Sequence, residues 1–313
     1  MVSNSFAQLR RVAAFRAFYG SFVFILERGG GWPFRSSLKY RFKGGGVHQL
    51  NEVLGPYGVF GLLFLAALVA GMINSIAGGG ALITFPALLF SGVSPIMANA
   101  TSNTAMAFGT LASAGGYMKQ VKAHREVALR LALVSLVGSV IGAVLLLFTS
   151  AGIFFKLVPF LILLAALLFT FGPQLNKRLP RKHAGVHLSA GLLLGEFVVS
   201  IYGGYFGAGQ GFAILALLTL VGIQNIHEMN GVKSLLAAVI NGIAVVPFWI
   251  AHAIVWPQAI VMSVAGILGG FIGARLAQKV NPVVVRRAVL VLAYVLASYF
   301  FYRAYFETPA GAA

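Results

Sequence analysis

Two stretches of this chain are long apolar runs that break at a glycine cluster and then resume, VAGMINSIAGGGALITFPALLFSG at 69–92 and VSIYGGYFGAGQGFAILALLTLVG at 199–222. At bilayer depth lipid offers no hydrogen bonds, so a backbone that leaves the helix there must be buried in protein or line a cavity. Glycine-interrupted segments in matching positions of two halves are the sequence pointer to a transporter's binding site.

The remainder of the chain agrees with a membrane setting. Of 313 residues 59% are hydrophobic and 9% charged, which excludes a water-soluble globule, whose charged share is about 25%. Apolar stretches near the ~20 residues that cross a bilayer run at 54–75, 97–118, 126–149, 152–171, 186–206, 231–250, 257–278 and 283–303, with shorter runs at 80–92 and 210–222. Small residues four apart, Gly138 and Gly142, Gly191 and Gly195, Gly266 and Gly270, Gly269 and Gly273, predict close helix packing. The fold class expected is therefore all-α, a polytopic membrane bundle of two inverted five-element repeats, each with a glycine-broken helix pair.

The net charge of +17 sits in short clusters between apolar runs, which is the pattern of cytoplasmic loops rather than of a nucleic-acid surface. The clusters are Lys119, Lys122, Arg125 and Arg130; Lys177, Arg178, Arg181 and Lys182; and Arg275, Lys279, Arg286 and Arg287. Placing all three in the cytoplasm counts 80–92 and 210–222 as crossings and gives ten elements. Treating those two runs as re-entrant gives eight spans and puts the last cluster outside. The ten-element reading divides the chain into a basic extension or leader at 1–50, a first repeat at 51–172, a basic cytoplasmic linker at 173–185, a second repeat at 186–306 and a tail at 307–313. The extension is expected to be dispensable.

The halves align in sequence. Ala77-Gly78-Gly79-Gly80 pairs with Ala208-Gly209-Gln210-Gly211, Gly138 and Gly142 pair with Gly269 and Gly273, and Thr101-Ser102 pairs with Lys233-Ser234.

Several residues in these segments could carry chemistry. In Asn74-Ser75-Ile76-Ala77-Gly78-Gly79-Gly80 the glycines release the backbone, and the short helix that follows starts with unpaired N–H groups able to hold an anion. Amides at 79–82 and at 210–213 are the candidate donors. Thr101, Ser102 and Asn103, within Asn99–Thr104, add more polar atoms than a helix cap needs. Lys233 and Ser234 open the corresponding helix of the second half, and a lysine there either faces a partner or cavity or reaches back to the interface. Glu196 is the one acid deep in an apolar run. It is a candidate proton carrier, or else a structural partner of Lys233, Arg275 or Tyr202.

HExxH, Walker and GxSxG motifs are absent, the histidines lack metal-ligand spacing, and there is no cysteine. An enzyme, a resident cofactor and a metal site are not expected. GMINSIAGGGALITFPALLFSGVSPIMANATSNTAMAFGTLASAGGY, its counterpart GGYFGAGQGFAILALLTLVG and the later GGFIGARLAQKV together resemble the TauE/SafE family of sulfite and organosulfonate exporters, also described as toluene-sulfonate uptake permeases. The resemblance runs from about residue 54 to 303 and implies a multi-pass permease of the bacterial inner membrane. It implies a small anionic substrate, sulfite, sulfoacetate or a related sulfonate; Gln210 departs from the family's more usual glycine. Membrane lipid is the other expected partner, and the oligomeric state is not fixed by the sequence. The alternative is a membrane-embedded assembly or regulatory component that transports nothing.

Overall fold

The computed structural model describes residues 45–178, 188–223, 225–277 and 282–306. The extension up to residue 44, most of the expected linker and the tail from 307 lie outside the described residues. The described residues form eleven α-helices and belong to one compact unit, Ser37–Ala313. They are α1 (Gly45–Ile76), α2 (Ala81–Phe90), α3 (Pro95–Gly116), α4 (Met118–Ala123), α5 (Arg125–Phe148) and α6 (Ala151–Arg178). After the linker follow α7 (Ala190–Tyr205), α8 (Gln210–Val221), α9 (Ile226–Ile250), α10 (Trp256–Leu276) and α11 (Pro282–Tyr305).

Among the described residues, five helical segments are long and apolar enough to cross a membrane: Tyr57–Ile76, Arg125–Phe148, Ile226–Ile250, Trp256–Leu276 and Arg287–Tyr305. The sequence suggested eight, and two of the helices that fall short do so for physical reasons. α3 has the length, but Asn99, Thr101, Ser102, Asn103 and Thr104 make its first half polar, and all five are buried. α7 stops after 16 residues because the chain turns at the second glycine cluster. α6 is 28 residues long, with an apolar stretch over Ala151–Leu167 among the residues whose side chains are described. At about 1.5 Å per residue the ten residues of α2 and twelve of α8 reach about half of a ~30 Å hydrocarbon layer.

α9 is the central helix, with 67% of its apolar window buried against 28% for α11. It packs on α3 and α5; α10 packs on α1 and α3, α7 on α5, and α11 on α6. The outward residues are apolar, among them Leu133, Val137 and Phe148 on α5 and Val291 and Val295 on α11. That inversion of the soluble pattern fits lipid as the solvent.

Close helix approach is set by glycine. On α5, a Cβ on Gly138 would lie 2.7 Å from the Phe197 carbonyl of α7, and one on Gly142 would overlap the Ile201 carbonyl a turn later. On α10, a Cβ on Gly269 would overlap the Leu68 carbonyl of α1, and one on Gly273 would lie 2.6 Å from Met72 Cα. Gly266 and Gly270 face Gly109 of α3. Gly191 and Gly195 do not form such a seam: a Cβ on Gly191 would meet only Ser189 Oγ at 3.8 Å, and one on Gly195 only the end of the Leu217 side chain. Gly142→Ala is therefore expected to lower thermal stability by roughly 1–3 kcal/mol through overpacking, whereas Gly191→Ala should not lower it. Thermal unfolding of the two purified variants measures the contrast.

Candidate functional site

The two glycine breaks meet. α1 ends at Ile76, and Gly78 and Gly79 take left-handed φ values of 84° and 93°, which other L-residues rarely adopt. The chain then folds back so tightly that a Cβ on Gly80 would lie 2.5 Å from the Ala70 carbonyl. In the second half, Gly207 (φ 77°) and Gly209 (φ 80°) turn the chain into α8. Gly78 touches Gly211: a Cβ on either would come within 3.0–3.1 Å of the other's Cα. Beside the crossing, Phe206 packs on Phe85 of α2 with ring centroids 5.5 Å apart, and Phe85 also meets Phe154 at 6.2 Å and Phe300 at 6.3 Å.

Lys233 runs along this crossing. A Cβ on Gly211 would lie 3.5 Å from Lys233 Cδ, and the side chain is 2% exposed. Its Nζ donates to the carbonyls of Asn74 at 2.9 Å and Ser75 at 3.2 Å, and to Asn230 Oδ1 at 2.9 Å. Three donors meet three acceptors, so the ammonium caps the carbonyl end of α1 as cations do at helix C-termini. The ammonium is thus held by the protein rather than reaching outward from the helix.

The remaining predicted residues are placed as follows. Ser75 Oγ hydrogen-bonds to the carbonyls of Gly71 (3.1 Å) and Gly270 (2.8 Å), tying α1 to α10. Ser102 Oγ and Thr84 Oγ1 are 2.6 Å apart, which links α3 to α2. Thr101 Oγ1 accepts from the Val255 amide at 3.0 Å, satisfying a donor just before α10. Ser234 and Ser113 hydroxyls lie 3.0 Å apart. Asn103 Oδ1 lies against Gly207, and Gln210 Nε2 donates to Asn241 Oδ1 at 2.8 Å. Leu82, Gln210 and Phe212 amides bond within the turns, while those of Gly79, Gly80, Ala81 and Gly211 have no backbone acceptor among the described residues.

Glu196 is fully buried on α7 but stands apart from the crossing. Its Oε1 lies 2.7 Å from Ser135 Oγ on α5, and Oε2 has no partner among the described residues. None of the partners considered from the sequence is used: Lys233 caps α1, the Tyr202 hydroxyl donates to the Ala208 carbonyl at 2.6 Å, and the Arg275 guanidinium lies 4.1 Å over the Phe271 ring.

Residues that sequence reading passed over are Thr84, Ser113, Ser135, Ser139 and Asn241. Asn241, a lone amide in an apolar run, gave a usable signal. Ser135 and Ser139 lie one turn apart on the side of α5 that carries Gly138 and Gly142, and Ser139 Oγ reaches the Ile240 carbonyl at 2.5 Å. Among the described residues no group of three or more His, Cys, Asp or Glu side chains is placed to hold a metal.

A helical membrane chain in which two broken helices meet in a buried polar centre belongs to the class of multi-pass membrane transporters. Residues 63–300 match the family model described as "Sulfite exporter TauE/SafE", and the chain belongs to that family. It is 34% identical over 238 residues to a "Probable membrane transporter protein" of Haemophilus influenzae, covering 75% of this chain and 91% of that one. It is 30% identical over 246 residues to the "Probable membrane transporter protein YfcA" of Escherichia coli K12, covering 78% and 90%. A third relative, "Probable membrane transporter protein ORF9" of Sinorhizobium sp, is 29% identical over 237 residues, covering 75% and 89%. No solved structure matches the chain. The family is one of transporters and not of enzymes, which implies a small transported substrate.

Proposed function

We propose that the protein is a secondary transporter of small anions, sulfite, sulfoacetate or a related organosulfonate, working by alternating access in the bacterial inner membrane. The observation that carries this reading is the contact between Gly78 and Gly211, which joins the two breaks at one place. Backbone amides of Gly79, Gly80, Ala81 and Gly211 are free of backbone acceptors there among the described residues. Helix starts of this kind favour anions without needing a charged side chain. Thr101, Ser102, Asn103, Gln210 and Ser234 supply neutral polar atoms around the crossing. Lys233 contributes charge while holding Asn74 and Ser75 in place.

The inverted-repeat arrangement, 51–172 against 186–306, is supported by how the halves pack. Gly138 and Gly142 seat α5 on the carbonyl edge of α7, and their counterparts Gly269 and Gly273 seat α10 on the same edge of α1. α9 and α3 pack on each other, as corresponding helices beside a two-fold axis would. Glu196 serves as the proton-coupling group. The linker 173–185 joins the repeats on the cytoplasmic side, and the extension 1–50 takes no part in the cycle.

Flux of radiolabelled sulfite into proteoliposomes tests the reading. Saturable uptake above that of protein-free vesicles, inhibited by sulfoacetate, is expected. A purely assembly or regulatory component would leave uptake at the vesicle background for every anion.

A further inference from the structure

Four carboxamide side chains gather around the second break. Asn99 and Asn103 come from α3, Gln210 from α8 and Asn241 from α9, and their exposures are 1, 1, 5 and 3%. Asn99, Asn103 and Gln210 face the end of α7. Asn99 Nδ2 donates to the Tyr205 carbonyl at 3.0 Å. Gln210 Oε1 fills the place that a Cβ on Gly203 would take, and a Cβ on Gly207 would lie 2.5 Å from Asn103 Oδ1. Glycine at 203 and 207 is thus what admits two of the amides, and Gln210 is held from behind by Asn241 at 2.8 Å.

Three polar atoms of this cluster have no partner among the described residues: Asn99 Oδ1, Asn103 Nδ2 and Gln210 Oε1. Buried polar groups are rarely left unpaired, so the cluster is built to hold something. The orientation of Asn99 is fixed, because turning its amide over would set Oδ1 against the Tyr205 carbonyl. Its free atom is therefore an acceptor. A ligand that offers only acceptor oxygens can satisfy Asn103 Nδ2 but leaves Asn99 Oδ1 facing lone pairs.

We infer that this amide cluster is a specificity subsite for an oxyanion that carries an O–H or N–H of its own, as a hydroxylated sulfonate does. The inference rests on the transport reading above and narrows its substrate. Oxyanion oxygens take Asn103 Nδ2 and the free break amides, while the ligand's one donor hydrogen is shared between Asn99 Oδ1 and Gln210 Oε1 as a three-centre bond. A simple alkanesulfonate lacks that donor. One buried hydrogen bond left unmade corresponds to about tenfold in affinity or more.

The test compares 2-hydroxyethanesulfonate with propane-1-sulfonate, which have the same charge and nearly the same size, by calorimetric titration of the purified full-length protein. The hydroxylated compound is expected to bind at least about tenfold more tightly. Gln210→Met and Asn99→Leu, each first shown to retain cooperative thermal unfolding, should each reduce that ratio toward one. Equal affinity for the two compounds in the parent protein, with sulfite flux intact, would overturn the subsite alone and leave the cluster a water site. A ratio that survives in both folded variants overturns it as well. Loss of all anion binding and flux in the parent protein would instead remove the transport reading, and the subsite with it.

Discussion

Lys233→Met is expected to lower the thermal stability of the purified protein and to abolish anion flux in the same variant. The substitution keeps the apolar stem beside Gly211 but removes the three donors that hold Asn74 O, Ser75 O and Asn230 Oδ1. Each orphaned buried acceptor costs roughly 1–3 kcal/mol. Part of that loss is offset because an ammonium no longer has to be desolvated. The net effect falls on the carbonyl end of α1, where Gly78 and Gly79 depend on the cap to keep their left-handed turn. Lys233→Arg should restore charge without restoring function, since a planar fork cannot place three hydrogens on acceptors arranged around an ammonium. Unfolding curves and sulfite flux measured on both variants separate the cap from a mere countercharge. Normal stability in Lys233→Met with flux lost would assign the lysine to the substrate alone, and normal values of both would dismiss it from the site.

The glycine clusters were legible because a broken apolar run has few physical outcomes. Their meeting at Gly78 and Gly211 follows from the need to bury the freed backbone. What the sequence could not reveal was the partner of each polar side chain. Lys233 invited an anionic partner, yet it is matched by two backbone carbonyls, which every sequence possesses, and the neutral Asn230 side chain. Ser75 and Thr101 suggested ligand contacts, and both have bonds to backbone groups of or beside α10. Glu196 was visible as an isolated acid, but Ser135 was hidden among small residues of an apolar helix. α3 falls short of the apolar span expected at 97–118 for a related reason. Length and hydropathy describe a helix facing lipid, whereas α3 is buried along its polar half and does not need to be apolar there.

Glu196→Gln is expected to preserve folding and anion binding while abolishing the dependence of flux on a pH gradient. The geometry around Ser135 gives the reason. Its Oγ carries one hydrogen but lies 3.0 Å from the Leu131 carbonyl and 2.7 Å from Glu196 Oε1. With a proton on Oε1, the carboxyl donates to Ser135 and the serine hydrogen stays on Leu131, so both bonds are made. Once that proton leaves, the serine hydrogen must serve the carboxylate, and the Leu131 bond of α5 is given up. On the proposed coupling, proton release therefore reverses the direction of the Ser135–Glu196 bond between α5 and α7 and costs α5 its own Ser135–Leu131 bond. Glutamine has the same volume, and its Nε2 can donate to Ser135 permanently, which locks the arrangement with both bonds made. Thermal stability should then change by less than about 1 kcal/mol, the typical net worth of a single hydrogen bond. Proteoliposome uptake measured with and without an imposed pH gradient reads the coupling directly. Gradient-driven uptake that persists unchanged in Glu196→Gln would remove this carboxyl from the proton path. Uptake would then run uncoupled or with the proton carried on the substrate itself.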